Sequence, residues 1–314
     1  MANSRKRKRK NKNNNSLLKL LLLILAVVVV VFFWYKGTHT NKNNNSANKV
    51  TVSNTTSNSV NGSSINETEN TKKEEKKASP VEKLTAEEIE ESKKHGLPVL
   101  MYHFFYDEQA GETGKDANFM EIHAFEEQIK YLSENNYYIP TWEEVLGYVE
   151  GKNGLPVKSV VLTVDDGDES FFRLAVPVLQ KYNITATSFL ITSWYTSPID
   201  MNAAQYKNVD FQSHSHKMHQ PGSNGKGAFL TISYEDGCKD LETCRTIITE
   251  GCRVFCYPFG HFNDSCKKML KDCNYILSFT TQGGRVFPGD DPLELPRVRM
   301  SKGDTLNAFI SKIK

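Results

Sequence analysis

Two adjacent carboxylates, Asp165 and Asp166, stand in the run Thr163-Val164-Asp165-Asp166-Gly167. A second cluster, Ser213-His214-Ser215-His216-Lys217-Met218-His219, places three histidines within six residues. A third, Tyr257-Pro258-Phe259-Gly260-His261, closes another apolar run. An Asp-Gly pair alone is ordinary turn chemistry, but imidazoles this dense after an apolar run suit a ligand set. Together the clusters offer one carboxylate and two imidazoles, a facial arrangement for a divalent metal that keeps positions open for water and substrate. The corresponding chemistry is hydrolysis, with water acidified and a carbonyl polarised. Successive side chains at a strand end diverge, so one aspartate can ligate while its neighbour faces the water. Spacing leaves two imidazole pairs open, His214 with His219 or His216 with His219. His103, in Met101-Tyr102-His103, is a further pocket candidate.

The elements that must position these residues alternate in type. Leu97 to Phe105 reads as a buried strand, and Phe125, Ile129, Tyr131 and Leu132 recur at helical spacing. Thr141-Trp142-Glu143-Glu144 has the capping-box pattern of a helix start. Ser159 to Val164 is an uninterrupted β-branched run, the mark of a strand covered on both faces. A helical stretch from Phe171 to Lys181 follows, then strands over Ile184–Ile191, Val209–Gln212 and Arg253–Tyr257. Helix-like segments lie at Ile232–Thr249 and Asp264–Cys273. This alternation predicts an α/β fold with mostly parallel strands. Chemistry in such folds sits at the carboxyl ends of strands, where all three clusters fall.

With these motifs in order, residues 96–314 resemble the polysaccharide deacetylases, carbohydrate esterase family 4. The chain looks closest to members with an opening strand like Leu97 to His103, among them the extracellular poly-N-acetylglucosamine deacetylases. The family's Thr-Phe-Asp-Asp-Gly motif corresponds to Thr163 to Gly167, its Ser-His-(Ser/Thr)-x-x-x-His variant to Ser213 to His219, and its Tyr-Pro-(Tyr/Phe)-Gly turn to Tyr257 to Gly260. A late Leu295-Pro296-Arg297 completes the set. The resemblance implies a distorted (β/α) barrel in which Asp166, His214 and His219 hold a divalent metal, most often Zn²⁺. It favours His214 over His216, makes Asp165 the general base, and assigns the oxyanion-stabilising N–H to Phe259. Tyr257, Ser215 and His103 are expected to contact substrate, an N-acetylated polysaccharide whose acetyl groups leave as acetate.

Three departures from the family pattern stand out. Val164 replaces the usual Phe. Cys256 stands where many members carry an Arg beside the catalytic Asp, and Arg297 is expected to supply that charge. No His follows His261, so the late catalytic His is missing, leaving His261, His103 or protonated Asp165 as proton donor. These gaps support an alternative reading, a catalytically silent anchored carbohydrate-binding module.

The whole chain of 314 residues carries a net charge of only +2. Its first 35 residues hold eight basic residues and no acidic one, leaving 31 basic against 37 acidic beyond them. A body at −6 is a poor sequence-independent binder of nucleic acid. Residues 1–16 read as a basic cytoplasmic tail and 17–35 as an uncleaved transmembrane signal anchor, ~28 Å long as a helix. Trp34 and Tyr35 suit its interfacial end. The Asn/Ser/Thr/Lys-rich stretch from residue 36 lacks the apolar surface to order itself. Disorder is therefore expected up to about residue 80, after which a charged, helix-permissive segment, Val81 to Lys94, leads into the folded part; together 36–95 read as a low-complexity extracellular linker. This organisation predicts a single-pass protein of the cell membrane with an extracellular catalytic domain at 96–314. Six cysteines (Cys238, Cys244, Cys252, Cys256, Cys266, Cys273) fall within 36 residues. With no Cys-x-x-Cys pair and an extracellular setting, disulfides are expected among them.

Overall fold

A computed structural model of the protein describes residues 79–195, 199–248 and 251–314. The basic tail, the apolar run 17–35 and the linker up to residue 78 lie outside the described residues. Among the described residues, no helix is long and apolar enough to cross a membrane.

Among the described residues, nine strands and seven α-helices follow one another. The strands are β1 (Val99–Tyr102), β2 (Phe104–Tyr106), β3 (Phe119–Glu121), β4 (Val161–Val164), β5 (Ala186–Leu190), β6 (Val209–Ser213), β7 (Val254–Cys256), β8 (Leu277–Gly283) and β9 (Leu295–Arg299). The helices are α1 (Ala86–His95), α2 (Ile122–Glu134), α3 (Trp142–Val149), α4 (Val176–Tyr182), α5 (Tyr234–Ile248), α6 (Asp264–Asp272) and α7 (Leu306–Ile313). Seven strands close a parallel barrel in the order β1-β4-β5-β6-β7-β8-β9, with β9 returning to β1 through Leu100 opposite Val298. Between β8 and β9 the register shifts from Phe279–Leu295 to Gly283–Arg297, so the barrel is irregular there. β2 and β3 form a separate parallel pair. The run Leu97 to Phe105 is thus two strands, not one.

Alternate strand residues sort into two cores, as a period of two requires. Leu100, Leu162, Val164, Phe211 and Phe255 pack outward with Phe125 and Ile129 of α2, Leu179 of α4, Leu241 of α5 and Phe309 of α7. Val99, Val161, Phe189, Val254, Cys256, Phe279 and Leu295 form an inner cluster, which α3 joins through Val145, Tyr148 and Val149. The start of α3 is set as its sequence predicts, with Thr141 and Glu144 capping reciprocally.

Two expectations are corrected. Folded structure is present on the amino-terminal side of residue 96. The segment assigned to the linker forms α1, whose start is fixed by a Thr85/Glu88 capping box. Its end is docked by the Tyr148 hydroxyl on the Ser92 carbonyl (2.9 Å) and the Leu155 N–H on the Ser92 Oγ (3.3 Å). All six cysteines are free thiols. Cys244, Cys256 and Cys266 on their helices and strand, and Cys252 just before β7, are buried in apolar packing, where a small side chain fills space without a covalent partner.

Candidate active site

The site is built at the carboxyl ends of β4, β6, β7 and β9. Asp165 leaves β4 with its N–H on the Tyr102 carbonyl (3.0 Å) and its carboxylate among the inward-facing side chains. There Arg297 of β9 meets it through two parallel bonds, Nη1 to Oδ1 and Nη2 to Oδ2, each 2.7 Å. Arg297 is wholly buried, and its remaining donors reach the Thr280 carbonyl (2.9 Å), Thr163 Oγ1 (3.0 Å) and Cys256 Sγ (3.1 Å). Burial alone would push the Asp165 carboxyl up, but the Arg297 charge and hydrogen bonds outweigh it and hold it well below the usual carboxylate range. Arg297 therefore occupies the charge position that Cys256 vacates. The Cys256 thiol lies 3.4 Å from Asp165 Oδ2.

Asp166 takes a left-handed backbone (φ +74) before Gly167 (φ +73). A Cβ on Gly167 would collide with the Tyr195 hydroxyl and Leu190, so the turn after the two aspartates requires glycine. This turn separates their directions. Asp166 Oδ1 faces His214 Nε2 at 3.4 Å and His219 Nε2 at 3.5 Å, and it is a buried oxygen with no hydrogen-bond partner among the described residues. His214 Nδ1 lies 2.7 Å from the Cys256 carbonyl. A carbonyl can only accept, which fixes the proton on Nδ1 and turns the Nε2 lone pair toward Asp166. An orphaned carboxylate oxygen facing two imidazole nitrogens is the donor set a divalent cation needs, so the residues present fit the group. A second possible set, Asp165, His214 and Cys256, fits less well. Arg297 already takes both Asp165 oxygens, and burial pushes the Cys256 thiol up, away from the thiolate.

The remaining candidates divide. His103 Nε2 lies 3.7 Å from Asp165 Oδ2, and burial pushes its imidazole below its ordinary value, against the pull of Asp165 and Asp166. Phe259 sits at φ +60, partly exposed, with its ring 4.3 Å from that of His219. No acceptor among the described residues takes its N–H. His216 is outside the metal-facing group, with its Nδ1 3.0 Å from Thr192 Oγ1. His261 is not brought to the aspartates. Its Nδ1 accepts the Gly227 N–H at 3.0 Å, which leaves the proton on Nε2.

Tyr257 and Ser215, expected to contact substrate, are buried and have their hydroxyls engaged within the protein. Tyr257 is fully buried and donates its hydroxyl to the Leu293 carbonyl (2.8 Å). Ser215, also buried and at φ +79, spends its Oγ on the Met218 N–H (3.1 Å) and so shapes the histidine loop.

Two residues of the site carried no signal in the sequence. Trp194 is half exposed and stands edge-on to His219 with ring centroids 5.8 Å apart. Asp240, on α5, accepts the N–H of His216 and of Lys217, each at 2.7 Å, and so clamps the histidine loop. One acidic residue among several in an amphipathic helix looks like any solvated face, so only the fold reveals that role.

The barrel and its strand-end carboxylate–imidazole cluster define a hydrolase-like α/β barrel. A family model described as polysaccharide deacetylase matches residues 152–277. The poly-beta-1,6-N-acetyl-D-glucosamine N-deacetylase of Staphylococcus epidermidis is 31% identical over 205 residues, 60% of this chain and 69% of that protein. The chain belongs to the polysaccharide deacetylase family. Among solved structures, deacetylase PplD of Streptococcus pyogenes superposes with a TM-score of 0.60 at 22% identity, over 70% of this chain and 98% of that one. IcaB from Ammonifex degensii gives 0.59 at 24%, over 69% and 97%. These two likenesses carry the barrel fold.

Proposed function

We propose that this chain is a metal-dependent N-deacetylase that removes acetyl groups from N-acetylglucosamine units of a surface polysaccharide. A β-1,6-linked polymer is favoured over peptidoglycan by the name of the staphylococcal relative. The observation that carries the reading is the division of labour between neighbouring carboxylates. Asp165 is saturated by Arg297, and Asp166 is orphaned opposite two imidazoles. A binding module has no use for a buried base held ionised beside an empty-handed ligand set.

The chemistry supplied by a divalent cation held by Asp166, His214 and His219 is polarisation of the acetamide carbonyl and acidification of water. Zn²⁺ suits this donor set. Asp165, kept ionised by Arg297, accepts the proton of the attacking water. The free Phe259 N–H donates to the carbonyl oxygen as its negative charge grows. The proton that Asp165 takes from water passes by way of neighbouring His103, 3.7 Å away, to the departing amine, and the C–N bond breaks to give acetate and a free glucosamine unit. Trp194 and Phe259, two exposed aromatic faces flanking His219, provide surfaces on which a pyranose ring can stack. The apolar run 17–35 would hold this domain at the outer face of the cell membrane.

Acetate release from N-acetylated β-1,6 and β-1,4 glucosamine oligomers, with and without a chelator, tests the reading. Chelator-sensitive release from the β-1,6 series supports it. A metal-loaded protein that releases acetate from neither series refutes it.

A further inference from the structure

Behind the catalytic mouth, at the amino-terminal ends of β4 to β8, lies a cavity of about 390 Å³, within the ~300–1,000 Å³ range of small-ligand pockets. Its wall includes Trp142, Thr187, Asp210, Gln212, Glu143 and Arg253 over an aliphatic floor. Asp210 and His214 are four residues apart on the same chain run, ~13 Å along a strand. The wholly buried Phe189, Phe279 and Arg297 fill the interior between the two ends. The cavity is therefore a place separate from the deacetylation site.

The feature that points to a ligand is Asp210. Its Oδ2 accepts from the Trp142 indole N–H (2.7 Å) and the Thr187 hydroxyl (3.0 Å), and its Oδ1 from the Gln212 amide (3.1 Å). Three neutral donors from α3, β5 and β6 orient the carboxylate, and no basic side chain among the described residues neutralises it. A carboxylate has about four acceptor positions, so one on Oδ1 is left. At the mouth Glu143 and Arg253 are exposed and 3.3 Å apart, which leaves the lining one negative charge in excess. A fixed carboxylate with a spare acceptor, a net negative wall and an indole beside it match a cation carried on a ring of sugar size.

We propose that this cavity binds a glucosamine unit, the deacetylated product residue of the polymer, with its ammonium on Asp210 and its ring against Trp142. The inference rests on the deacetylase reading for the identity of the amine. It makes the barrel a two-ended device, with acetyl groups removed at one end and finished strand retained at the other.

The sequence has three tryptophans, Trp34, Trp142 and Trp194, so the full-length chain with ¹⁵N-labelled tryptophan has one indole signal per candidate surface. Titration with a short β-1,6 glucosamine oligomer should shift the Trp142 signal, about tenfold more tightly than the fully N-acetylated oligomer, the worth of one charge-assisted hydrogen bond. Asp210→Asn should weaken that shift by about tenfold or more. Glu143→Gln, an exposed change that spares the fold, should weaken it by roughly threefold. No shift of Trp142 with either oligomer overturns the proposal, as does an equal shift with both. If Trp142 stays silent while acetate is released, the cavity assignment fails and the deacetylase reading stands. If Trp142 shifts and no acetate is released from any oligomer, the reverse holds.

Discussion

At the scale of single residues, the site separates holding a metal from moving a proton, and substitutions should separate them too. Asp166→Ala removes the orphaned oxygen facing two imidazoles and is expected to abolish metal binding and acetate release together, read by metal analysis and turnover. Asp165→Asn should keep the metal while lowering kcat by about 10²–10⁴, the usual worth of a positioned base. Arg297→Gln tests the electrostatics. In the native protein the Asp165 carboxyl lies below its unfolded value, so its stabilising contribution is present above ~pH 4 and is lost only as pH falls through the lower folded value. Without Arg297, burial is opposed only by the weaker pull of His103 and His214, and the carboxyl rises. The acid limb of the pH–rate profile should then move to higher pH, with stability reduced by about 3–5 kcal/mol for the uncompensated buried charge. An unmoved acid limb in a folded variant would show that Asp165 is not the base. The aspartates and histidines were legible because their types are scarce and clustered. The bidentate pairing of Arg297 became visible only when β9 closed the barrel beside β1.

At the scale of elements, legibility followed hydrophobic continuity. β4 and β5 are uninterrupted buried runs, and both are plain in the sequence. β8 ends in exposed Thr281, Gln282 and Gly283, while β9 contains Pro296, so neither shows a strand's pattern although both carry the barrel's closure. The histidine loop illustrates what spacing alone could not decide. His214 is the last inward-facing position after β6, whereas His216 is turned aside by the left-handed Ser215 and held at Thr192. Asp240 then fixes the loop's backbone from α5. Removing its two acceptors in Asp240→Ala should weaken metal affinity by about 10–100-fold, as losses behind the ligands typically do. Asp240→Asn, which keeps one acceptor oxygen, should recover part of it. Chelator competition measures both, and equal affinities in all three proteins would reduce Asp240 to a surface residue.

At the scale of the molecule, the near-neutral total charge conceals a basic stub and an acidic remainder, and the length beyond one barrel needs no second catalytic domain. Composition alone put the expected end of the linker too late in the chain. The Val81–Lys94 segment is charged enough to pass for linker, yet one buried edge at Ser92 docks it on Tyr148 and Leu155, and Arg285 Nη1 holds the His95 carbonyl at 3.2 Å. Three such bonds at ~1 kcal/mol each amount to about 3 kcal/mol. A graded set of truncations separates tethering from folding. A chain starting at residue 36 should leave the membrane fraction while releasing acetate from soluble oligomers at the full-length rate. One starting at 79 should melt at the same temperature as the first. One starting at 96 should melt roughly 6–12 °C lower, since each kcal/mol moves a domain of this size by about 2–4 °C. Equal melting of the last two would return α1 to the linker, and membrane association persisting without residues 1–35 would move the anchor elsewhere.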